Sequence, residues 1–248
     1  MFEKFKNRWK GRLKKYSERY LLRPDMEGDA DFQKIYQKVG TRQNKFTMTP
    51  MERCWALYGA VRYISKSGIE GDFVECGVWR GGSSMLSALT LISLNDLKKK
   101  IYLYDTFEGM PEPTDKDIDI HGVPYSKLWE KEKEILSVSL DEVKQNMLST
   151  GYPENNISLI KGMVEDTLPE TAPDNISLLR LDTDFHDSTY HELVHLYPRL
   201  SPGGVLIIDD YGHFKGARSA TDQYFSETKQ NILLNRVDYS CRIGIKVS

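Results

Sequence analysis

Chemistry in this chain is concentrated in acidic residues that close apolar runs. Asp182 and Asp184 follow the run Ile176 to Leu181, and Asp209 and Asp210 follow Gly203 to Ile208. Runs of this length and content predict strands, and Ser188 to Leu200 between them predicts a helix. Two parallel neighbours would then bring their carboxylates to one carboxyl edge of a sheet. Carboxylates gathered there repel one another, and burying them is costly unless a cation compensates. Magnesium suits such a set, because a hard divalent ion prefers oxygen ligands and keeps waters that substrate oxygens can replace. Asp182, Asp209 and Asp210 are the expected metal ligands, the bland reading of any one Asp being a helix cap. Zinc fits less well. His191-Glu192-Leu193-Val194-His195 has the H-E-x-x-H order on the predicted helix, but its two histidines are read as a surface or packing pair, and His186 and His213 stand apart from them. His121 falls in a polar loop and is read as solvated.

The second chemical stretch is Gly71 to Ser84, read as a strand ending near Val74, a turn from Gly77 to Gly82, and a helix opened by Ser83-Ser84. Glycines let a backbone turn sharply and approach a ligand closely, and the following helix offers free N–H groups and a positive dipole end to a carboxylate. A plain strand-turn-helix corner would carry similar glycines. The spacing Gly77-x-x-x-Gly81-Gly82 is neither the dinucleotide G-x-G-x-x-G nor a P-loop. Glu75, just before the turn, would repel a pyrophosphate but pair with an ammonium. A ligand with both an amino group and a nucleoside meets these demands, and S-adenosylmethionine combines the two. Asp105 closes the next predicted strand, Ile101 to Asp105, at the distance where doubly wound folds place a carboxylate for ribose hydroxyls. Glu165 and Asp166 follow a third strand, Asn156 to Gly162, and either face an adenine amino group or cap a helix.

These residues must be positioned by a chain of 248 residues, long enough for one large domain with an extension. Residues 1–48 are read as an N-terminal helical extension or lid and residues 49–248 as the cofactor-binding domain. Phe2 to Tyr20 reads as a basic amphipathic helix, either a membrane-surface anchor or clamp for an anionic substrate or, more plainly, a helix packed on the domain or on a partner subunit, so a homo-oligomer is expected. Thr49-Pro50-Met51-Glu52 predicts a helix start that runs to about Ser67. The loop from Thr106 to Ser126 reads as a binding lid, Leu128 to Leu148 as helical, and Arg218 to Thr228 as a helix. Asn231 to Val237 and Cys241 to Val247 complete seven strands, the last two forming a hairpin. The fold expected is therefore a doubly wound, mostly parallel sheet with helices on both faces.

Composition narrows the partners. A net charge of -2 gives no reason to expect a nucleic-acid surface. Three cysteines, Cys54, Cys76 and Cys241, form no C-x-x-C pair, which argues against a disulfide framework and for a cytoplasmic setting. No apolar run approaches the length of a membrane span, and no signal-peptide core is evident at the N-terminus.

The stretches Phe73 to Ser83, Tyr104 to Pro111, Leu181 to Asp184 and Asp209 to Gly212 together resemble the macrocin O-methyltransferase family, S-adenosylmethionine- and magnesium-dependent enzymes that methylate sugar hydroxyls. The resemblance covers about Thr49 to Phe225 and implies a class I, Rossmann-like methyltransferase fold. It implies that Glu75, Gly77, Trp79, Arg80, Gly81, Ser83 and Ser84 hold the methionine part. By the same carry-over, Asp105, Thr106 and Phe107 lie at the ribose, Gly162, Glu165 and Asp166 border the adenine, and Asp182 touches both cofactor and metal. Related catechol-type enzymes place a Lys three residues after the strand-four carboxylate, where this chain has Phe185. The general base is therefore Asp182, Asp184 or His213, in that order.

The reaction so implied is O-methyl transfer to a sugar, a sugar nucleotide or another glycoside, with S-adenosylhomocysteine as product. A second reading makes the acceptor a catechol or phenol stacked on Trp129 and Tyr125. A third is a cofactor-binding protein without turnover.

Overall fold

The computed structural model describes residues 23–41 and 45–247. The basic helix expected from Phe2 to Tyr20 lies outside them. The strands are β1 (Asp72–Cys76), β2 (Ile101–Asp105), β3 (Ile157–Lys161), β4 (Ile176–Leu181), β5 (Leu200–Ile208), β6 (Asn235–Arg236) and β7 (Arg242–Ile245). They form one sheet in the order β3-β2-β1-β4-β5-β7-β6. All pairings are parallel except those of β7, which runs antiparallel to both β5 and β6. The helices are α1 (Pro24–Gly28), α2 (Ala30–Val39), α3 (Met51–Ser67), α4 (Gly82–Ser93), α5 (Ser126–Leu136), α6 (Leu140–Leu148), α7 (Val164–Thr167), α8 (His186–Leu196) and α9 (Lys215–Thr228). The doubly wound, mostly parallel seven-stranded sheet is the expected one.

β4 is buried at every residue and β1 at every residue but its first, as central parallel strands covered on both sides must be. Successive side chains point to opposite faces, and the core divides accordingly. Phe73, Leu178, Val205 and Ile207 pack with residues of α2, α3, α4 and α6. Val74, Cys76, Leu179, Leu181, Leu206 and Ile208 pack on the other face with Leu193 and Leu196 of α8 and Tyr224 of α9. Among the described residues the three cysteines are free and buried, and no helix is long and apolar enough to cross a membrane.

Several boundaries differ from the sequence reading, each for a local reason. Leu128 to Leu148 is two helices, because Ser137 is extended and Ser139 caps α6 by accepting from the Glu142 N–H. Thr49 does not cap α3: its hydroxyl is taken by Thr47 and the Cys54 thiol, and Pro50 occupies the cap position. The sixth strand shrinks to Asn235–Arg236, paired only with β7 at the sheet's edge. The helix before β5 spans His186–Leu196, two residues earlier at its start than the pattern suggested.

Upstream of α3 the chain joins the same core. Phe32, on α2, is fully buried, its ring 4.9 Å from Trp55 and 5.3 Å from Tyr58. Phe32→Ala should cost about 3–5 kcal/mol in urea unfolding, the range for emptying a buried aromatic site.

Candidate functional site

The carboxyl edge is built by continuing the parallel ladders past the strand ends. The Asp182 N–H donates to Cys76 O and the Asp209 N–H to Leu181 O, both at 2.9 Å, so the tips of β1, β4 and β5 stand side by side. Gly77 (φ 79°) makes this possible, since a Cβ there would lie 2.1 Å from the carbonyl oxygen of Asp182. Above the tips opens a cavity of about 700 Å³, within the range of small-molecule sites.

Its floor is an ion-pair network. Glu75 and Arg180 are direct partners across the β1–β4 ladder. The Arg180 guanidinium donates to Glu75 Oε1 at 2.6 Å, Asp182 Oδ2 at 2.8 Å and Asp209 Oδ1 at 2.7 Å. The second Asp209 oxygen accepts from Arg53 of α3, whose Nε reaches Asp238 at 2.7 Å. The second Glu75 oxygen accepts from Ser84. Glu75, Arg180 and Asp209 are all buried. Their carboxylates are thus compensated by the protein's own guanidiniums, which the sequence reading missed. Arg180 was visible as a lone charge inside an apolar run; Arg53 gave no such signal.

Asp209 therefore departs from its expected place in the metal set: both of its oxygens face arginines. The carboxylates that converge are Asp182, Asp184 and Asp210, with one oxygen from each within 4.8 Å of the others. Burial raises the pKa of all three. Asp184 is pushed up to about 7, and Asp182 and Asp210 go well above the usual carboxylate range, with the neighbouring carboxylates adding to burial. Such a set gains from a shared cation. Its hard oxygen donors and excess negative charge fit a divalent ion of the magnesium type. Asp184 also sits at φ 68°, a conformation an aspartate holds only at some cost.

The cofactor end is bounded by Glu75, Gly77, Trp79, Ser83, Asp105, Thr106, Gly162, Glu165 and Asp182, all on the cavity wall. The first turn of α4 opens there, its dipole favouring a carboxylate. Asp105 is more engaged than a free ribose acceptor would be. It accepts from the Val78, Trp79 and Phe107 N–H groups, at 2.7, 3.2 and 2.7 Å, and so holds Trp79 and Phe107 at positive φ. Five expected cofactor residues are not on the wall. Arg80 turns outward to Glu142 and the Trp79 ring, Ser84 is taken by Glu75, Phe107 is buried in the core, Gly81 packs on Val143, and Asp166 is exposed.

At the far end stand His213, Asp119, Tyr239 and Tyr125. His213, whose pKa burial lowers, has Nδ1 3.4 Å from the Tyr239 hydroxyl. Tyr125, Phe185 and Phe214 form an edge-to-face cluster, on which Met110 and Trp129 pack. Trp129 is off the cavity wall, and the Tyr125 hydroxyl is taken by Glu132 at 2.5 Å, which leaves less of an aromatic platform than the phenol reading needs. The loop from Thr106 to Ser126 is fastened by buried Asp117, which accepts from Thr114 N–H at 2.7 Å and His186 N–H at 3.0 Å.

The model of the macrocin-O-methyltransferase family matches residues 13–243. The chain belongs to that family. A similar protein is an 8-demethyl-8-(2,3-dimethoxy-alpha-L-rhamnosyl)-tetracenomycin-C 4'-O-methyltransferase of Streptomyces olivaceus, 36% identical over 72% of this chain and 67% of that one. Another is a mycinamicin III 3''-O-methyltransferase of Micromonospora griseorubida, 32% identical over 72% of this chain and 69% of that one. Among solved structures the O-methyltransferase NovP superposes with a TM-score of 0.75 at 27% identity, covering 82% of this chain and 83% of that one. The class I fold and S-adenosylmethionine-dependent O-methyl transfer are those of the macrocin-O-methyltransferase family.

Because Arg180 compensates three carboxylates, its loss should unfold more than it opens. Arg180→Met should lower stability at pH 7 by about 3–5 kcal/mol in urea titration, the cost of breaking a buried ion pair on one side. A loss below about 1 kcal/mol would contradict the pivot assigned to it.

Proposed function

We propose that the chain methylates a hydroxyl of a sugar or of a glycosylated small molecule, with a divalent ion held by Asp182 and Asp210 and with Asp184 as general base. The observation that carries this reading is the placing of three converging carboxylates, beyond full compensation by Arg53 and Arg180, in the same cavity as the Gly77 turn. The acceptor class is supported by the relatives, whose names specify hydroxyls on glycosylated molecules.

S-adenosylmethionine supplies an electrophilic methyl group. The protein's main contribution is then alignment of the acceptor oxygen, a positioning effect that can reach roughly 7–11 kcal/mol of barrier lowering. Gly77, Ser83 and the dipole of α4 would hold the methionine end, beside the Glu75 carboxylate that Arg180 and Ser84 already engage, and Asp105 with Glu165 would border the nucleoside. A divalent ion supplies Lewis acidity, lowering the pKa of a coordinated hydroxyl. Asp184 accepts the proton: it converges with Asp182 and Asp210 at the edge of the cavity, and neither arginine pairs with it.

The roles separate by substitution. Asp182→Asn and Asp210→Asn should weaken Mg2+ binding at least tenfold. Asp184→Asn should lower kcat by about 10²–10⁴-fold, the usual contribution of a general base, with S-adenosylhomocysteine affinity near that of the wild type in the Asp184 and Asp210 variants. Methyl transfer to a glycoside that persists undiminished in excess chelator would refute the metal role.

A further inference from the structure

The sheet face opposite the arginine network carries another buried carboxyl group. Glu192, on α8, is fully buried. Its two oxygens accept from the Thr183 hydroxyl at 3.0 and 3.2 Å, and it stands against the Cys76 thiol, itself fully buried. The charges that act on it most, those of Glu165 and Asp182, are negative. Burial pushes its pKa well above the usual carboxylate range. Its helix neighbours in the core, Leu193 and Leu196, are apolar, and an apolar residue at this site would avoid the desolvation of a carboxyl group.

The group lies where two strand tips meet. Cys76 closes β1, and Thr183 is the middle residue of the turn Asp182-Thr183-Asp184 beyond β4. Alternation directs Arg180 and Asp182 to the arginine face and Thr183 to the α8 face. The turn is pinned below by the Asp182 N–H on Cys76 O and closed by the Phe185 N–H on Thr183 O at 2.8 Å. The Thr183 hydroxyl is its side-chain tether, and the tether ends on Glu192. Asp184 follows directly at φ 68°, a conformation that persists only where its surroundings hold it.

We infer that Glu192 is a positioning residue of the transfer site, fixing through Thr183 the turn that presents Asp182 to the ion and Asp184 to the acceptor. The inference rests on the functional reading above. It assigns Glu192 no contact with substrate, cofactor or ion. Residues that orient metal ligands from behind typically change metal affinity 10–100-fold when removed, and this is the effect expected here.

The test compares Glu192→Ala and Thr183→Val, which cut the tether, with Glu192→Gln and Thr183→Ser, which keep an accepting oxygen and a hydroxyl. Mg2+ is titrated calorimetrically into protein saturated with S-adenosylhomocysteine, and melting temperature, S-adenosylhomocysteine affinity and kcat are measured alongside. Cutting the tether should raise the Mg2+ dissociation constant about tenfold or more and lower kcat. S-adenosylhomocysteine affinity should stay near wild type, and the two conservative variants should retain both properties. If Glu192→Ala does not fold, Thr183→Val decides alone. Thr183→Val with wild-type Mg2+ affinity and kcat overturns the inference, as does a loss of S-adenosylhomocysteine affinity in step with Mg2+ affinity. A wild-type protein that binds no Mg2+ and methylates no glycoside sinks the functional reading itself, and the inference with it.

Discussion

The site depends on one buried cation. Arg180 reaches Glu75, Asp182 and Asp209 from the next-to-last position of a strand otherwise made of apolar side chains and one serine. Without it, three carboxylates from three adjacent strands would meet in a low-dielectric interior, where mutual repulsion and desolvation favour either protonation or unfolding. With it, the edge separates into two parts. Glu75 and Asp209 belong to the framework, and Asp182 keeps one oxygen on the framework while its neighbours Asp184 and Asp210 stay clear of both arginines. An acidic edge can thus fold without an ion and still present donors to one.

That division is made by strand periodicity. Glu75, Arg180, Asp182 and Asp209 share a face with α3, and so Arg53 can close the network from above. Cys76 and Thr183 share the face of α8, where Glu192 waits. The two faces support the same turn by different means: charge pairing on one side and a hydrogen-bonded, buried carboxyl group on the other. The Gly77 turn keeps the tips close enough for both to act on one loop.

Much of this was legible in the sequence, and the limits were physical. Apolar runs ending in Asp105, Asp182 and Asp209-Asp210 are local patterns, and they located the strands and the active edge. The metal set was legible only in part, because compensation is not local: Arg53 lies 156 positions from Asp209 in the chain. Arg80 and Phe107 belonged to the right motifs, but a motif does not tell which side chains face the ligand. Backbone conformation was equally hidden. Trp79, Phe107 and Asp184 all adopt positive φ, and the Asp105 carboxylate that holds the first two reads in sequence as a ribose acceptor. Glu192 stands in the H-E-x-x-H stretch His191 to His195, and only the docking of its helix shows that its carboxyl group meets Thr183 instead.

The account is tested most directly by locating the ion. Crystals of the protein with S-adenosylhomocysteine, soaked in Mn2+, would show its position by anomalous scattering. The account predicts a single peak in the cavity bounded by Asp182 and Asp210, with the Asp184 carboxylate beside it and the Arg180–Glu75 pair intact beneath. A peak away from both aspartates, or none in crystals of a protein whose methyl transfer ignores chelators, would contradict it.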